Sequence, residues 1–368
     1  MSEQAPLHPV SRQHLAVLTD DIGIMQHAIG GRPDPAHGYC TDDVARALQV
    51  DLLHQRQLGW DAVADRSWRN LRFLTEAFDP ASGRFRNFRS IDGSWTDGVG
   101  SDDSHGRAML ALGETISMAP DARTIEAAAS LFSRALSASG ELRAPRAQAS
   151  ALLGCDAALR SAPIAVSAMT AQIYRLLAGR LRATFLASAS SAWPWPESRL
   201  TYENALPVRA LIVAGQHFGT RQMIDAGLDI LDWLIVAQTA SAGHLSTIGN
   251  SWWQRDGSKP QFDQQPIEAT ALLLAAESAY EVTGDDKYRA AMERAYGWFL
   301  GQNDLGVQVA VPERGASYDG ITPGGVNLNQ GAESTLMWLI AAEHIRAIRG
   351  GDAKTPGRPE TFLATSLA

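Results

Sequence analysis

Apolar residues recur at three- and four-residue intervals through most of the chain, while alternating runs of β-branched residues are few. Ala-rich stretches such as RALIVAG (209–215) and ATALLLAAESAY (269–280) add high helix propensity. The pattern predicts an almost entirely helical protein. Starts and stops place about twelve helices near 12–29, 42–57, 61–77, 102–118, 122–138, 147–162, 166–185, 202–217, 221–237, 266–282, 285–301 and 331–348.

An internal repeat organises these helices. Glu203, Glu268 and Glu333 stand 65 residues apart, each at the head of a long apolar stretch. Trp233 and Trp298 share that 65-residue interval, and Thr41-Asp42-Asp43 is echoed 60 residues later by Ser101-Asp102-Asp103. Very apolar helices (202–217, 266–282, 331–348) alternate with amphipathic ones (61–77, 221–237, 285–301), as an inner and an outer ring require. The expected fold class is all-α, an (α/α)6 toroid of six helical hairpins. Inner-to-outer turns are short (QLGWD, MAPDA, HFGTR), whereas the return connections 79–100, 186–201, 238–264 and 302–330 are long. Long loops in a compact domain are usually functional, and these should gather, in part as short β-hairpins, at one mouth. We expect one toroid domain over 11–350, with flexible ends at 1–10 and 351–368.

Composition narrows the function. The 368 residues are 45% hydrophobic and 20% charged, which suits a folded globular chain. No stretch approaches the ~20 apolar residues needed to cross a bilayer, and the first residues lack a basic-then-apolar leader, so a cytoplasmic location without membrane contact is expected. Net charge is −8 and the basic residues are scattered, which argues against nucleic acid as a partner. The two cysteines, Cys40 and Cys155, form no CxxC or Cys/His cluster, so neither a disulfide nor a metal site is expected. GxSxG, GxxxxGK[ST] and GxGxxG are absent, leaving no sign of a serine hydrolase or a nucleotide cofactor, and no cofactor is expected.

The loops and helix starts instead hold carboxylates, amides and indoles. In chain order they supply His37, Tyr39, Asp42 and Asp43; Asp102, Asp103 and His105; Trp193, Trp195, Tyr202 and Glu203; His244, Trp252, Trp253, Asp263, Gln264, Gln265 and Glu268; and Asn329, Gln330 and Glu333. Aromatic faces cover the C–H surface of a pyranose while carboxylates and amides bind its hydroxyls. Capping alone could explain an acid in a first turn, worth roughly 0.3–1 kcal/mol. Thr41 and Ser101 are read as the caps, which leaves Asp42, Asp43, Asp102 and Asp103 in excess. Pairing of Asp42 or Asp43 with Arg46, and of Asp103 with Arg107, is the competing structural account. Glu268 and Glu333 border apolar helices, where a carboxyl needs a partner or a raised pKa suited to a general acid. Trp193, Trp195, Trp252 and Trp253 lie in polar loops and are expected at the pocket; Trp233 and Trp298 are expected in the core.

GYCTDDVARAL, WPWPESRLTYENALP, FDQQPIEA and NLNQGAES, spread over about residues 20–345, resemble motifs of a little-characterised bacterial family of six-hairpin toroid proteins, often described as glycosyltransferase-associated or found beside mannoside-processing genes. The resemblance implies a carbohydrate-active protein. The class includes hydrolases, phosphorylases, lyases and epimerases. The leading expectation is a glycoside hydrolase acting on a short, mannose-containing oligosaccharide. Asp43 or Asp103 would activate water, Glu268 or Glu333 would protonate the leaving oxygen, and Asp42, Asp102 and Glu203 would hold hydroxyls. Two alternatives stand beside it: a sugar epimerase or isomerase moving protons through His105 with His244 or His37, and a non-catalytic glycan-binding protein.

Overall fold

The computed structural model describes residues 5–161, 167–187 and 192–350; the expected flexible tail and residues 1–4 lie outside them. Where one domain is expected, the contacts group into two compact units. The N-terminal unit is Arg12–Gly179 with Asn329–Leu336, and the C-terminal unit is Met1–Ser11, Arg180–Leu328 and Met337–Ala368.

In the N-terminal unit, α1 (Gln13–Leu18) is followed by the hairpin β1 (Ala28–Ile29) and β2 (Arg32–Pro33), then β3 (Tyr39–Cys40) and α2 (Thr41–Leu58). The helix expected over 12–29 stops early for a local reason. Asp20 accepts the N–H groups of Ile22 (2.8 Å) and Gly23 (3.1 Å), and this side-chain turn competes with helix continuation. Beyond α2 come α3 (Ala64–Ala77), the hairpin β4 (Phe78–Asp79) and β5 (Arg84–Phe85), β6 (Phe88–Arg89), α4 (Asp102–Met118), α5 (Ala122–Ser139), α6 (Pro145–Arg160) and α7 (Ser167–Ala187), whose residues from Arg180 on belong to the other unit. β6 pairs with β3, joining the long loop to the start of α2.

α4 lies between α2 and α6, while α3 packs on α2 and α5 on α4. α2, α4 and α6 bury most of their residues, and α2 buries charged ones, Asp43, Arg46 and Asp51, among its apolar side chains. The α4–α6 crossing depends on glycine. A Cβ at Gly113 would lie 2.0 Å from the Gly154 carbonyl oxygen, and one at Gly154 would lie 2.3 Å from that of Met109.

The C-terminal unit repeats the plan: β7 (Arg199–Leu200), α8 (Ala205–His217), α9 (Arg221–Ala237), β8 (Trp253–Gln254), α10 (Pro266–Thr283), α11 (Asp286–Phe299), β9 (Ala310–Val311), β10 (Ala316–Ser317), β11 (Gly320–Thr322), β12 (Gly325–Asn327) and α12 (Ala332–Gly350). α12 contributes its first turn to the other unit. α8 lies beside α10, with α9 on α8 and α11 on α10. Thr270 in α10 donates to the Met337 carbonyl of α12 (3.0 Å). β7 pairs with β8, β9 with β10 and β11 with β12, so the expected long connections do carry short hairpins. Residues 5–8, expected to be flexible, are held instead: Arg349, Tyr296 and Arg346 donate to the carbonyls of Ala5, Pro6 and His8 at 2.7, 2.9 and 2.7 Å. Among the described residues no helix is long and apolar enough to cross a membrane.

Candidate active site

The start of α2 is fastened by its backbone and not by a side-chain cap. Thr41, read from the sequence as the cap, spends its N–H on the Asn87 carbonyl (2.8 Å) and its hydroxyl on that of Arg86 (2.6 Å). Asp42 and Asp43 therefore occupy the first turn, where the exposed N–H groups favour negative charge. At α4 the reading holds, since Ser101 accepts the Ser104 N–H (3.0 Å) as a cap.

Two arginines gather the acids of the N-terminal unit. Arg46 Nη1 lies 3.0 Å from Asp43 Oδ1 and 2.9 Å from Glu333 Oε2. Arg107 Nη1 lies 3.2 Å from Asp42 Oδ1 and 3.9 Å from Asp103 Oδ2. The contacts to one nitrogen confine the Asp43 and Glu333 oxygens to within about 6 Å of each other. Arg46 and Asp43 are buried, whereas the Glu333 side chain is 41% exposed, so the group opens to solvent at Glu333.

Neighbouring aspartates in this group have opposite protonation tendencies. Burial pushes both carboxyls up. At Asp42 the guanidiniums of Arg107 and Arg46 outweigh burial and hold it below its ordinary value. At Asp43 burial prevails over Arg46, and the charges of Glu333 and Asp42 add to it, so the carboxyl is pushed up to about 7. Two carboxyls driven apart in this way are suited to separate acid and base roles.

The segment leading to Glu333 is positioned from the same unit. Gln330 and Ala332 donate their N–H groups to the Gly30 and Gln26 carbonyls (2.9 and 3.0 Å). Asn329 accepts the Gly30 N–H (3.0 Å), and buried His14 hydrogen-bonds the Gln330 carbonyl (2.9 Å). Asn329 and Gln330, expected to bind substrate, thus help hold this segment in place. Asp102 is likewise structural: it takes Arg84 (2.8 Å) and the N–H groups of Arg143 (2.8 Å) and Ala144 (3.2 Å), fastening the approach to α6.

Other expectations in this unit are corrected by burial. His105 is inaccessible, bonded to Ser139 (3.0 Å) and set against Phe85; burial, aided by Arg84 and opposed by Asp102, depresses it to about 3. It is a neutral core histidine and not a proton carrier. Tyr39 is also fully buried, with its hydroxyl donated to Asp20. His37 lies at the surface, 3.6 Å from Asp34.

Comparison with solved structures identifies the architecture. A sugar epimerase from a ruminal bacterium superposes with a TM-score of 0.70 at 12% identity, covering 90% of this chain and 94% of its own. A cellobiose 2-epimerase from Spirochaeta thermophila gives 0.68 at 15%, covering 92% and 96%. A GH76 alpha-mannanase from Bacteroides thetaiotaomicron gives 0.64 at 10%, covering 93% and 96%. The fold is an (α/α)6 toroid. Neither a protein-family model nor a curated protein matches the chain.

In the toroid's C-terminal unit, several expected ligands of a sugar are spent on the protein. Glu268 is buried and accepts the Asn204 side-chain amide (2.9 Å) and backbone N–H (3.2 Å). This clamp holds the turn before α8, and Glu268, expected from sequence as a proton donor, serves here as its acceptor. Glu203 precedes α8 with a left-handed φ of 49°, beside half-buried Tyr202; unlike Glu268 and Glu333 it opens no helix. His244 pairs with Asp304 (2.8 Å), which also accepts Ser246 (2.6 Å) and the amide of buried Gln264. Burial raises the Asp304 carboxyl, but hydrogen bonds from Ser246, His244 and Gln264 hold it low. Trp298 donates to Gln264 (2.8 Å) and is core, as expected. Gln265 stands half-buried at the start of α10 without capping it, and Asp263 is exposed.

Trp193 and Trp195, expected at a pocket, are buried because their indole N–H groups find partners: the Glu197 carbonyl (2.9 Å) and carboxylate (3.3 Å). Trp253 is half-buried and Trp252 is exposed. Sequence reasoning missed Asp304 as a hub and Arg84 as the partner of Asp102. Each lies in a connection, outside the helix-start pattern used to find acids. Arg46 was visible only as a local partner of the aspartates, and not as the link to Glu333. Among the described residues no cluster of His, Cys, Asp and Glu has a metal-binding arrangement.

Proposed function

We propose that the chain is a carbohydrate-active enzyme that cleaves a glycosidic bond in a short, mannose-containing oligosaccharide. Asp43 is the proton donor and Glu333 its partner carboxylate. The observation that carries this reading is the Asp43–Arg46–Glu333 group, with Asp43 titrating at about 7 while Asp42 stays ionised. This reverses the role expected of Asp43 from sequence, because a carboxyl protonated near neutrality is an acid before it is a base.

In the first step Asp43 gives its proton to the glycosidic oxygen as the bond to the anomeric carbon breaks. Glu333 bonds to that carbon and forms a glycosyl ester. In the second step Asp43, now a carboxylate beside Arg46, takes a proton from water, whose oxygen displaces Glu333. The sugar leaves with a new hydroxyl, and both carboxyls return to their starting states. The bound of about 6 Å on the Asp43 Oδ1–Glu333 Oε2 distance supports this order, since it is shorter than the separation of about 6.5–9.5 Å in inverting glycosidases and admits that of about 5–5.5 Å in retaining ones. The mannoside preference is supported by the motif resemblance and by a fold shared with a mannanase. Cytoplasmic action agrees with two buried, unpaired cysteines.

Incubation with manno- and gluco-oligosaccharides, with and without phosphate, followed by anomer-resolved NMR, tests the proposal. Release of a shorter sugar with retained anomeric configuration, lost in Asp43→Asn, is the expected result. An inverted product would remove Glu333 as nucleophile.

One observation favours a second reading. A guanidinium between two carboxylates stabilises an anionic enediolate better than a cationic glycosyl transition state, which suits epimerisation of a reducing sugar. His105 is buried against Ser139 and His244 is paired with Asp304, so in this reading Asp43 and Glu333 would move the proton. Solvent deuterium entering the sugar at C2 without release of a shorter product would decide for epimerisation.

A further inference from the structure

Between α9 and α10 two adjacent tryptophans have opposite fates. Trp253 is an anchor: it stacks on Trp233 at 5.9 Å, meets Trp193 edge-on at 5.4 Å, and donates its indole N–H to the Gly257 carbonyl (2.9 Å). Trp252 is turned outward and is 38% exposed. Its φ is 64°, a left-handed conformation that bulky residues rarely adopt and that a glycine would accept freely.

The loop holds this conformation rigidly. Gly249 donates to the Pro260 carbonyl (2.9 Å) and Asn250 to that of Asp263 (3.1 Å), while a Cβ at Gly249 would lie 1.9 Å from the Phe262 carbonyl oxygen. Arg199, from the paired strand β7, places its guanidinium carbon 4.3 Å from the centre of the Trp252 ring. The indole is thereby oriented before any ligand arrives.

We propose that Trp252 with Arg199 is a stacking platform for a neutral pyranose unit of an oligosaccharide, resting on the reading that the chain acts on carbohydrates. A protein-docking patch needs contiguous apolar surface, but here an exposed indole lies against exposed Arg199, in a segment whose Asn250 and Asp263 are also exposed. A pyranose has the matching character, an apolar C–H face bordered by hydroxyls. Backbone strain retained at an exposed aromatic fits a residue kept for contact with a ligand.

The test compares the parent with Trp252→Gly, which relieves the left-handed strain, and Trp252→Tyr, which retains an aromatic ring. Binding of mannotetraose and cellotetraose is measured calorimetrically, with thermal midpoints and turnover recorded on the same preparations. The expected result is about tenfold weaker binding of at least one sugar in Trp252→Gly, affinity within about threefold of the parent in Trp252→Tyr, and no fall in midpoint for the glycine variant. Unchanged affinity in Trp252→Gly overturns the platform, as does a loss matched by a fall in midpoint. If the parent turns sugars over but the glycine variant binds as the parent does, the platform alone fails. If the parent neither binds nor turns over either sugar, the carbohydrate reading fails and the platform with it.

Discussion

Glu268 and Glu333 occupy equivalent places, 65 residues apart, in the first turns of α10 and α12. Glu268 is buried and receives neutral donors from Asn204, which hold it as a fixed acceptor. Glu333 is half-exposed and held by a cation that also holds Asp43. An amide clamp of this kind makes a turn rigid. A shared guanidinium instead ties a buried carboxyl to a solvent-facing one, and the Glu333 charge adds to the burial that raises Asp43.

The sharpest way to break this contrast is at Asp43. Asp43→Asn should lower turnover by about 10²–10⁴ with the fold retained by circular dichroism. The pH profile of the parent should fall as pH rises through about 7, where the acid loses its proton. Glu333→Gln should lower turnover by a similar factor, whereas Glu268→Gln should leave the profile's shape unchanged. At the clamp the effect should instead be on stability: Glu268→Ala should cost about 2–4 kcal/mol in urea denaturation, because it strands the buried amide and N–H of Asn204.

Smaller effects separate the titrating group from the locked one. His105 is depressed to about 3 when folded, so the unfolded chain binds the extra proton and stability falls as pH drops below about 6.5. His105→Gln should remove about 2 kcal/mol of the loss between pH 7 and pH 5. Asp43 has the opposite sign. Its folded carboxyl is raised, so its contribution is greatest at low pH and is lost as pH rises from about 4 to about 7. Asp43→Asn should flatten that slope by about 2–3 kcal/mol, read from thermal midpoints at pH 5 and pH 8.

The helices could be read from spacing because each buries a stripe or a whole surface, and that requirement is written locally. The early end of α1 could not, since Asp20 looks like any polar residue until its side chain closes a turn. The excess of acid at Asp42 and Asp43 could be read at the head of α2, although Thr41 proved not to be the cap. What spacing could not supply was the partnership of Arg46 with Glu333, which joins the two ends of the N-terminal unit's sequence, or the burial of Trp193 and Trp195. A polar loop hides an indole when a residue such as Glu197 takes its N–H, and nothing in the flanking composition announces that.

Arg46 and Arg107 bear two positive charges among four carboxyls, Asp42, Asp43, Asp103 and Glu333. With Asp43 protonated the group still carries an excess negative charge. An incoming phosphate, free or attached to a sugar, would meet guanidiniums already neutralised and a repulsive field, whereas an uncharged saccharide and water would meet neither obstacle. On the proposed reading, the ion balance around these two arginines favours hydrolysis of an uncharged saccharide over phosphorolysis before any fit of shape is considered.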